Sequence, residues 1–190
     1  KLERFPRCVL LYLYRSILGE ESPLSLRQSP VIITSESVIA VQHSDPLEMS
    51  DLVARWEQNP ELLGHGIPAL LYALLDLVVD SYLDTIDALS DAVDHMEDVL
   101  FEVRPSGDSD PRETQKRSFA TRKALVQLRR VAQPMRELVS GLMRHDDGQR
   151  ANVDAALQPY YQDVYDHVLR VNDTMEGLRD LITTIYETRL

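Results

Sequence analysis

The residues of this sequence best suited to chemistry are acidic side chains and one histidine in its last thirty residues. Asp163, Asp166 and His167 follow one another closely. Positions i and i+4 share a face of a helix, so Asp163 and His167 can reach one metal ion together. The alternative is a solvated helix face with a hydrogen-bonded histidine. The spacing alone leaves both interpretations open.

A further candidate is Asp76, which interrupts the longest apolar stretch, residues 67–79. A carboxylate beside a buried seam needs a partner or an interface, because burying an unpaired charge is costly. A solvated outer face is the simpler interpretation of an acidic stripe that includes Asp80, Asp84, Asp87, Asp91, Asp94 and Asp98. The remaining histidines form no pair at metal-ligand spacing and are interpreted as surface or structural groups: His43, His65, His95 and His145.

Catalytic motifs are missing from the sequence. It has no Gly-rich phosphate loop, no CxxC pair, no HExxH, no GxSxG and no Glu-x-x-His pair. We therefore predict that the protein is not an enzyme. The single cysteine, Cys8, cannot form an internal disulfide, and its apolar surroundings favour a packing role in a reducing compartment.

The charge is unevenly distributed along the chain. The formal net charge is −11, but residues 66–104 hold 9 acids against 1 base, whereas residues 111–150 hold 4 acids against 10 bases. An acidic helix is thus followed by a basic one, and the two can neutralise each other. The net acidic balance argues against nucleic acid and favours cations as small partners.

The carboxylates and the histidine must be positioned by long helices. Residues 158–190 place apolar side chains at alternating spacings of three and four: Tyr161, Val164, Val168, Val171, Met175, Leu178, Ile182 and Ile185. This heptad seam predicts a helix of roughly 50 Å within a stalk segment of about 152–190. Because the pattern still runs at the last residue, we interpret the chain as a fragment of a longer protein.

Two more long helices precede the stalk. One, over 67–103, has the seam Leu75, Val79, Tyr82, Ile86, Leu89, Val93, Met96 and Leu100. The other, over 113–145, has the seam Leu125, Leu128, Ala132, Met135, Val139 and Leu142, with Pro134 expected to bend it or to free a carbonyl. We expect these two helices to form an antiparallel pair next to the stalk helix, each burying its seam.

The first third of the chain reads differently. Residues 8–18 and 30–43 are rich in Val, Ile, Leu and Tyr and predict strands, the second stretch folding into a hairpin at residues 35–37. Residues 19–29 are interpreted as a polar connection, and a short helix over 47–58, with Leu52, Val53 and Trp56, is expected to cover the sheet. The predicted class is α+β, with a truncated α/β unit at 1–65 and a long-helix unit at 66–190.

Three blocks of sequence resemble a known family. The block from Tyr160 to His167, with Asn172-Asp173-Thr174 and the segment 178–181 after it, resembles the stalk helix of the CorA family of magnesium and cobalt transport proteins. Residues 70–82 and the segments 128–130 and 134–137 resemble that family in the same order. The similarity covers nearly the whole chain, without the membrane spans that follow the stalk.

This resemblance implies a cytoplasmic regulatory domain of a homopentameric divalent-cation channel at the inner face of a bacterial or archaeal membrane. It implies that carboxylates between neighbouring copies bind Mg²⁺ and hold a closed state. Carried over by position, those carboxylates are Asp163 and Asp76. Co²⁺ and Zn²⁺ stay open as the transported ion, since a zinc-transporting branch shares the stalk, and a soluble coiled-coil adaptor is a further alternative. We also expect the chain alone to be a soluble, weak oligomer.

Overall fold

The computed structural model describes residues 2–5, 7–19, 24–41, 49–57, 60–101, 111–144 and 153–188. Four short strands come first: β1 (Leu2–Arg4), β2 (Val9–Ile17), β3 (Ser25–Ile33) and β4 (Val38–Ala40). Five helices follow: α1 (Met49–Glu57), α2 (Pro60–Leu63), α3 (Ile67–Phe101), α4 (Pro111–Met143) and α5 (Gln158–Thr188), the last preceded by a 3-10 turn at Ala155–Leu157. A small sheet followed by long helices confirms the predicted α+β class.

The strands form one antiparallel sheet in the order β1-β2-β3-β4. Strands β2 and β3 pair over nine residues each, from Val9 opposite Ile33 to Ile17 opposite Ser25. Alternate side chains on this pair point to the core, and Leu11 and Val31, which lie opposite each other, are both fully buried. This face of the sheet packs on α3.

The sheet confirms the predicted hairpin and corrects one boundary. The β3–β4 turn is closed where the Thr34 N–H donates to the Ser37 carbonyl at 2.9 Å, within the predicted turn region. The predicted polar connection over 19–29 is wrong for residues 25–29, which belong to β3 because they pair with β2. Strand β1, three residues long, had no pattern by which to be predicted. Cys8, in the turn between β1 and β2, is half-buried.

The three long helices bury the predicted seams. All eight seam residues of α5 are buried, as are all six of α4 and the first seven of α3. Leu100 has no described side chain. Helices α3 and α4 contact each other, as predicted, but each packs more extensively against α5. The stalk helix is therefore a full member of a three-helix core and does not merely lie beside a pair.

Helix α1 lies elsewhere than predicted. We expected it to cover the sheet, but its main neighbour is α3. Of the predicted apolar face, Leu52 is buried and Val53 is 42% exposed, and the side chain of Trp56 lies outside the described part of the structure. Arg55 joins α1 to α3 through two ion pairs, described below.

A hydroxyl network joins the sheet to α3. The Ser16 hydroxyl on β2 donates to the Ser81 carbonyl, and the Thr85 hydroxyl donates to the Ser16 hydroxyl at 2.8 Å. One helical turn away, the Tyr82 hydroxyl donates to the Tyr14 carbonyl. These bonds satisfy polar groups that would otherwise be buried without partners, and they fix the sheet on the helix.

Several predictions made from the sequence are not tested by the structure. Helix α4 is continuous through Pro134, and the bend or freed carbonyl expected there stays a prediction. His43 and His145 lie outside the described residues. The division at residues 65 and 66 into two units also stays a prediction. Within the described ranges, none of the helices has both the length and the apolar character needed to cross a bilayer.

Candidate metal centre

Asp76, Asp80 and His167 come together where α3 and α5 pack side by side. Asp76 and Asp80 are one turn apart on α3 and so share a face. His167 approaches them from α5, and one ligand atom from each of the three residues lies within 4.8 Å of the others. All three side chains are half-buried. We refer to this group as the carboxylate–histidine cluster.

Arg55 on α1 lies against the two carboxylates of the cluster. Its Nη1 donates to Asp76 Oδ2 at 2.7 Å, and its Nη2 lies 2.6 Å from Asp80 Oδ2. The guanidinium fork suits this arrangement, since it presents parallel donors to separate oxygens. The Asp76 side chain is 17% exposed, whereas those of Arg55 and Asp80 are 34% exposed.

The surroundings of Asp76 raise the pKa of its carboxyl. Burial raises the pKa of the Asp76 carboxyl, and the like charge of Asp80 raises it further, while Arg55 and His167 lower it without cancelling the rise. Burial is the largest cause of this rise. Independently of the pKa, two ionised aspartates beside one guanidinium carry a net negative charge, so a further cation is attracted to this position.

Asp163 forms the solvent edge of the same region. Its Oδ1 lies 3.9 Å from His167 Nε2, and its side chain is 60% exposed. Burial raises the pKa of Tyr72 to about 12, and the charges of Asp76 and Asp163 contribute to that rise. The pKa of Tyr72 is therefore affected by the charges of both carboxylates. The other imidazole nitrogen of His167, Nδ1, is buried and has no hydrogen-bond partner among the residues that the structure describes.

Tyrosines next to the cluster fix how α3 and α5 face each other. The ring of Tyr72 on α3 packs edge-on against Tyr160 of α5, with centroids 5.3 Å apart, and lies 6.1 Å from the ring of Tyr161. The Tyr161 hydroxyl donates to the Pro68 carbonyl at 2.8 Å, near the start of α3. Because these contacts flank the cluster, they hold the relative position of its two helices.

The structure brings some of the candidate residues together and leaves others apart. Asp76 belongs to the cluster and Asp163 lies at its edge beside His167, which the i, i+4 spacing predicted. Asp166 is exposed, accepts a hydrogen bond from Gln162 at 2.8 Å and is not part of the cluster. Metal binding by Asp76 and Asp163 stays a prediction. His65, interpreted as a surface or structural group, contacts Asp154 at 3.2 Å.

Sequence reasoning missed Asp80 and Arg55. Asp80 was grouped with the solvated stripe, and the other five stripe residues are indeed exposed: Asp84, Asp87, Asp91, Asp94 and Asp98. Asp80 differs because α1 places a guanidinium on it. The available signal was its spacing of four residues from Asp76, but nothing in the sequence pointed to Arg55.

The donor set fits a divalent cation. Carboxylate oxygens suit Mg²⁺, which usually keeps several waters and takes one or two carboxylates, and imidazole suits Co²⁺ and Zn²⁺. The separation of up to 4.8 Å between ligand atoms leaves room for an ion held partly through water. The buried, unpartnered Nδ1 of His167 is consistent with a group whose hydrogen bonding is not complete without a further partner.

Comparison with known proteins identifies the family. The model of the family described as "CorA-like Mg2+ transporter protein" matches residues 1–189, nearly the whole chain. The chain belongs to the CorA family. This membership replaces the alternative of an unrelated coiled-coil adaptor.

Individual CorA-family relatives agree with this result. The chain is 33% identical over 121 residues to the cobalt/magnesium transport protein CorA of Thermotoga maritima, covering 64% of this chain but 32% of that protein. It thus spans about a third of that relative's length.

Solved structures show the same fold. The soluble domain of CorA from Methanocaldococcus jannaschii matches with a TM-score of 0.76 at 19% identity, covering 98% of this chain and 71% of that one. The ZntB cytoplasmic domain from Vibrio parahaemolyticus matches with a TM-score of 0.70 at 14% identity, covering 99% of this chain and 70% of that one. At these identities the likeness is one of fold.

Proposed function

We propose that this chain is the cytoplasmic regulatory domain of a CorA-type divalent-cation channel, located at the inner face of the cell membrane. In this proposal Mg²⁺ binds between copies of the domain in a homopentamer and controls transport of Mg²⁺ or Co²⁺. The observation that supports it best is the carboxylate–histidine cluster between α3 and α5, with Asp163 at its exposed edge. Family membership supports the transport class.

The two carboxylates differ in exposure, and we assign them different roles for that reason. Asp163, with 60% of its side chain exposed, is available to a neighbouring copy, whereas Asp76, with 17% exposed, belongs to the interior of its own chain. Carboxylates that face one another across an interface repel until a cation bridges them, often through retained waters for Mg²⁺. Ion binding then favours the assembled state by its differential affinity, and ion loss lets the copies separate.

The test uses the full-length protein that contains this chain. We expect Mg²⁺ to raise its melting temperature and its resistance to protease, because the ion relieves repulsion at Asp163. Asp163→Ala should raise the Mg²⁺ concentration needed for half of this effect by about tenfold or more, a usual range for lost metal-site groups. Asp76→Ala should do so to a smaller extent.

Asp166→Ala is the matched control. Asp166 lies on the same helix less than one turn from Asp163 and is also exposed, but it does not belong to the cluster. It should leave the Mg²⁺ response unchanged. A full-length Asp163→Ala protein that responds to Mg²⁺ as the unmodified protein does, in both protection and ion flux, would remove Asp163 as a regulatory site.

The second candidate is a zinc-transporting relative, which the presence of His167 in the cluster favours. Imidazole is a preferred ligand of Zn²⁺ and a poor one for Mg²⁺. Protection by Zn²⁺ at concentrations at least tenfold below those of Mg²⁺, lost in His167→Gln, together with Zn²⁺ flux, would support this candidate over Mg²⁺ and Co²⁺.

A further inference from the structure

The carboxylates of the candidate centre already have a cationic partner within the chain. The two terminal nitrogens of Arg55 lie 2.7 Å from Asp76 Oδ2 and 2.6 Å from Asp80 Oδ2. These two carboxylates are also the ones that, with His167, offer ligand atoms to one ion. A guanidinium and a metal ion use the same oxygen lone pairs, so full occupation by one excludes the other.

We propose that Arg55 is a tethered cation that competes with the divalent ion for Asp76 and Asp80 and so sets the ion concentration at which this centre fills. The inference rests on the function proposed above, because it concerns the regulation of the same centre. Arg55 is a positioning residue here: it acts on the carboxylates and does not itself bind the ion.

Charge and exposure make the exchange feasible. One guanidinium leaves the two aspartates with a net negative charge, whereas a divalent ion would neutralise them. The contact with Asp80 is open to water, since Arg55 and Asp80 are each 34% exposed, whereas Asp76 is 17% exposed. Exposed ion pairs are held weakly, while buried pairs resist separation more strongly. Arg55 can therefore leave Asp80 at a modest cost, and its separation from the more buried Asp76 requires that the divalent ion replace its charge there.

Helix α1 is suited to move with Arg55. It has nine residues, and helices shorter than about 12–15 residues are marginal without tertiary contacts. Leu52 of α1 is buried in the core, and the two ion pairs of Arg55 join α1 to α3. Losing the ion pairs leaves α1 less firmly held. Ion binding at the cluster is thus expected to loosen α1 while it stabilises the assembly.

The test compares the full-length protein with its Arg55→Gln and Arg55→Lys variants. We expect Arg55→Gln to lower the Mg²⁺ concentration for half-maximal protease protection by about tenfold, because the competitor is gone. Arg55→Lys keeps the charge but loses the two-pronged fork, so its midpoint should fall in between. In Mg²⁺-free buffer, Arg55→Gln should melt at a lower temperature than the unmodified protein, since two carboxylates lose their partner.

Arg129→Gln is the control for the change of charge. Arg129 is exposed on α4, which contributes nothing to the cluster, and its replacement should leave the midpoint unchanged. A second readout is amide hydrogen exchange in α1. We expect Mg²⁺ to speed exchange in residues 49–57 of the unmodified protein and to have little effect there in Arg55→Gln.

The possible failures are distinguishable. Midpoints of Arg55→Gln and Arg55→Lys within about twofold of the unmodified value, or raised, would overturn the competition, even where Asp163→Ala confirms the regulatory site. A lowered midpoint in Arg55→Gln together with an unaffected Asp163→Ala protein would support the competition and count against the proposed role of Asp163. If Arg55→Gln does not fold, Arg55→Lys and the exchange of α1 in the unmodified protein decide the matter.

Discussion

Tyr161 is the residue that ties the start of α5 to the start of α3. It is fully buried, and its hydroxyl donates to the Pro68 carbonyl at 2.8 Å. In Tyr161→Phe this carbonyl loses the bond from the phenol, so we expect a loss of about 1 kcal/mol in the free energy of unfolding, measured by urea denaturation. Tyr165→Phe is the control, because the Tyr165 hydroxyl has a longer, exposed contact with Arg136 at 3.4 Å. Equal losses in both variants would contradict this role of Tyr161.

The buried tyrosines also predict how stability depends on alkaline pH. Burial raises the pKa of Tyr161 and Tyr82 well above the ordinary value of 10.0. Below pH about 10 both phenols are protonated in folded and unfolded chains, and their contribution to stability is fully present. Above it the unfolded chain releases these protons first, so the free energy of unfolding falls as pH rises towards the raised values.

The measurement is urea denaturation at several pH values between about 9 and 11, each buried tyrosine contributing at most about 1.4 kcal/mol per pH unit. Tyr161→Phe removes one of the two groups. Its stability should therefore fall less steeply with pH than that of the unmodified chain. Parallel pH profiles for the two proteins would show that Tyr161 ionises as freely in the folded chain as in the unfolded one.

The candidate centre shows what residue-level patterns can and cannot give. The i, i+4 spacing was enough to place Asp163 beside His167, because neighbours on one helix follow from its geometry alone. The approach of His167 to Asp76 joins residues far apart in the chain and depends on how α3 and α5 pack. The pairing of Arg55 with Asp80 depends on where α1 docks, which its weak apolar pattern did not determine.

At the scale of elements, the hydroxyl network between β2 and α3 leads to a prediction about stability. The Thr85 hydroxyl, almost fully buried, lies 2.8 Å from both the Ser16 hydroxyl and the Ser81 carbonyl and donates its single proton to one of them. Thr85→Val keeps the shape but removes the donor, and we expect a loss of about 1–2 kcal/mol in thermal or urea unfolding. Thr183→Val on the exposed face of α5 is the control, since its hydroxyl donates within its own helix, to the Arg179 carbonyl. If the free energy of unfolding falls no further in Thr85→Val than in Thr183→Val, the hydroxyl network adds nothing to stability.

The long helices were the elements best predicted from sequence. A seam repeated over many turns leaves one way to bury it, so α3 begins at the predicted residue and α4 begins two residues before the predicted one. Helix α5 begins at residue 158, later than the start of about 152 predicted for the stalk helix. The ends predicted at 103, 145 and 190 lie outside the described residues. The start of β3 was harder to place, because Ser25 to Ser29 are polar enough to resemble a loop. Their strand conformation comes from pairing with β2, a partner that local sequence does not reveal.

At the scale of the whole molecule, charge should limit self-association. Each copy has a formal net charge of −11 and exposes Asp163. Like charges on approaching copies repel, so we expect the chain studied alone to form no stable pentamer at micromolar concentration without divalent ions. Light scattering with and without Mg²⁺ measures this, with Na⁺ at matched ionic strength as the control. A stable pentamer in metal-free buffer would contradict it.

Because its buried seam is uninterrupted, α5 can carry a movement at the cluster to its far end. The seam side chains from Val168 to Ile185 are buried in the core formed with α3 and α4, so this length is expected to move as one rod. From His167 to the end of α5 the axis runs for roughly 30 Å at about 1.5 Å per residue. A tilt of about 5° pivoting at the cluster would sweep the far end through about 3 Å, the width of a water molecule. With about 3 Å between the pivot and a ligand oxygen, an adjustment of about 0.3 Å around an ion corresponds to about 3 Å at the far end of α5, a magnification of about tenfold.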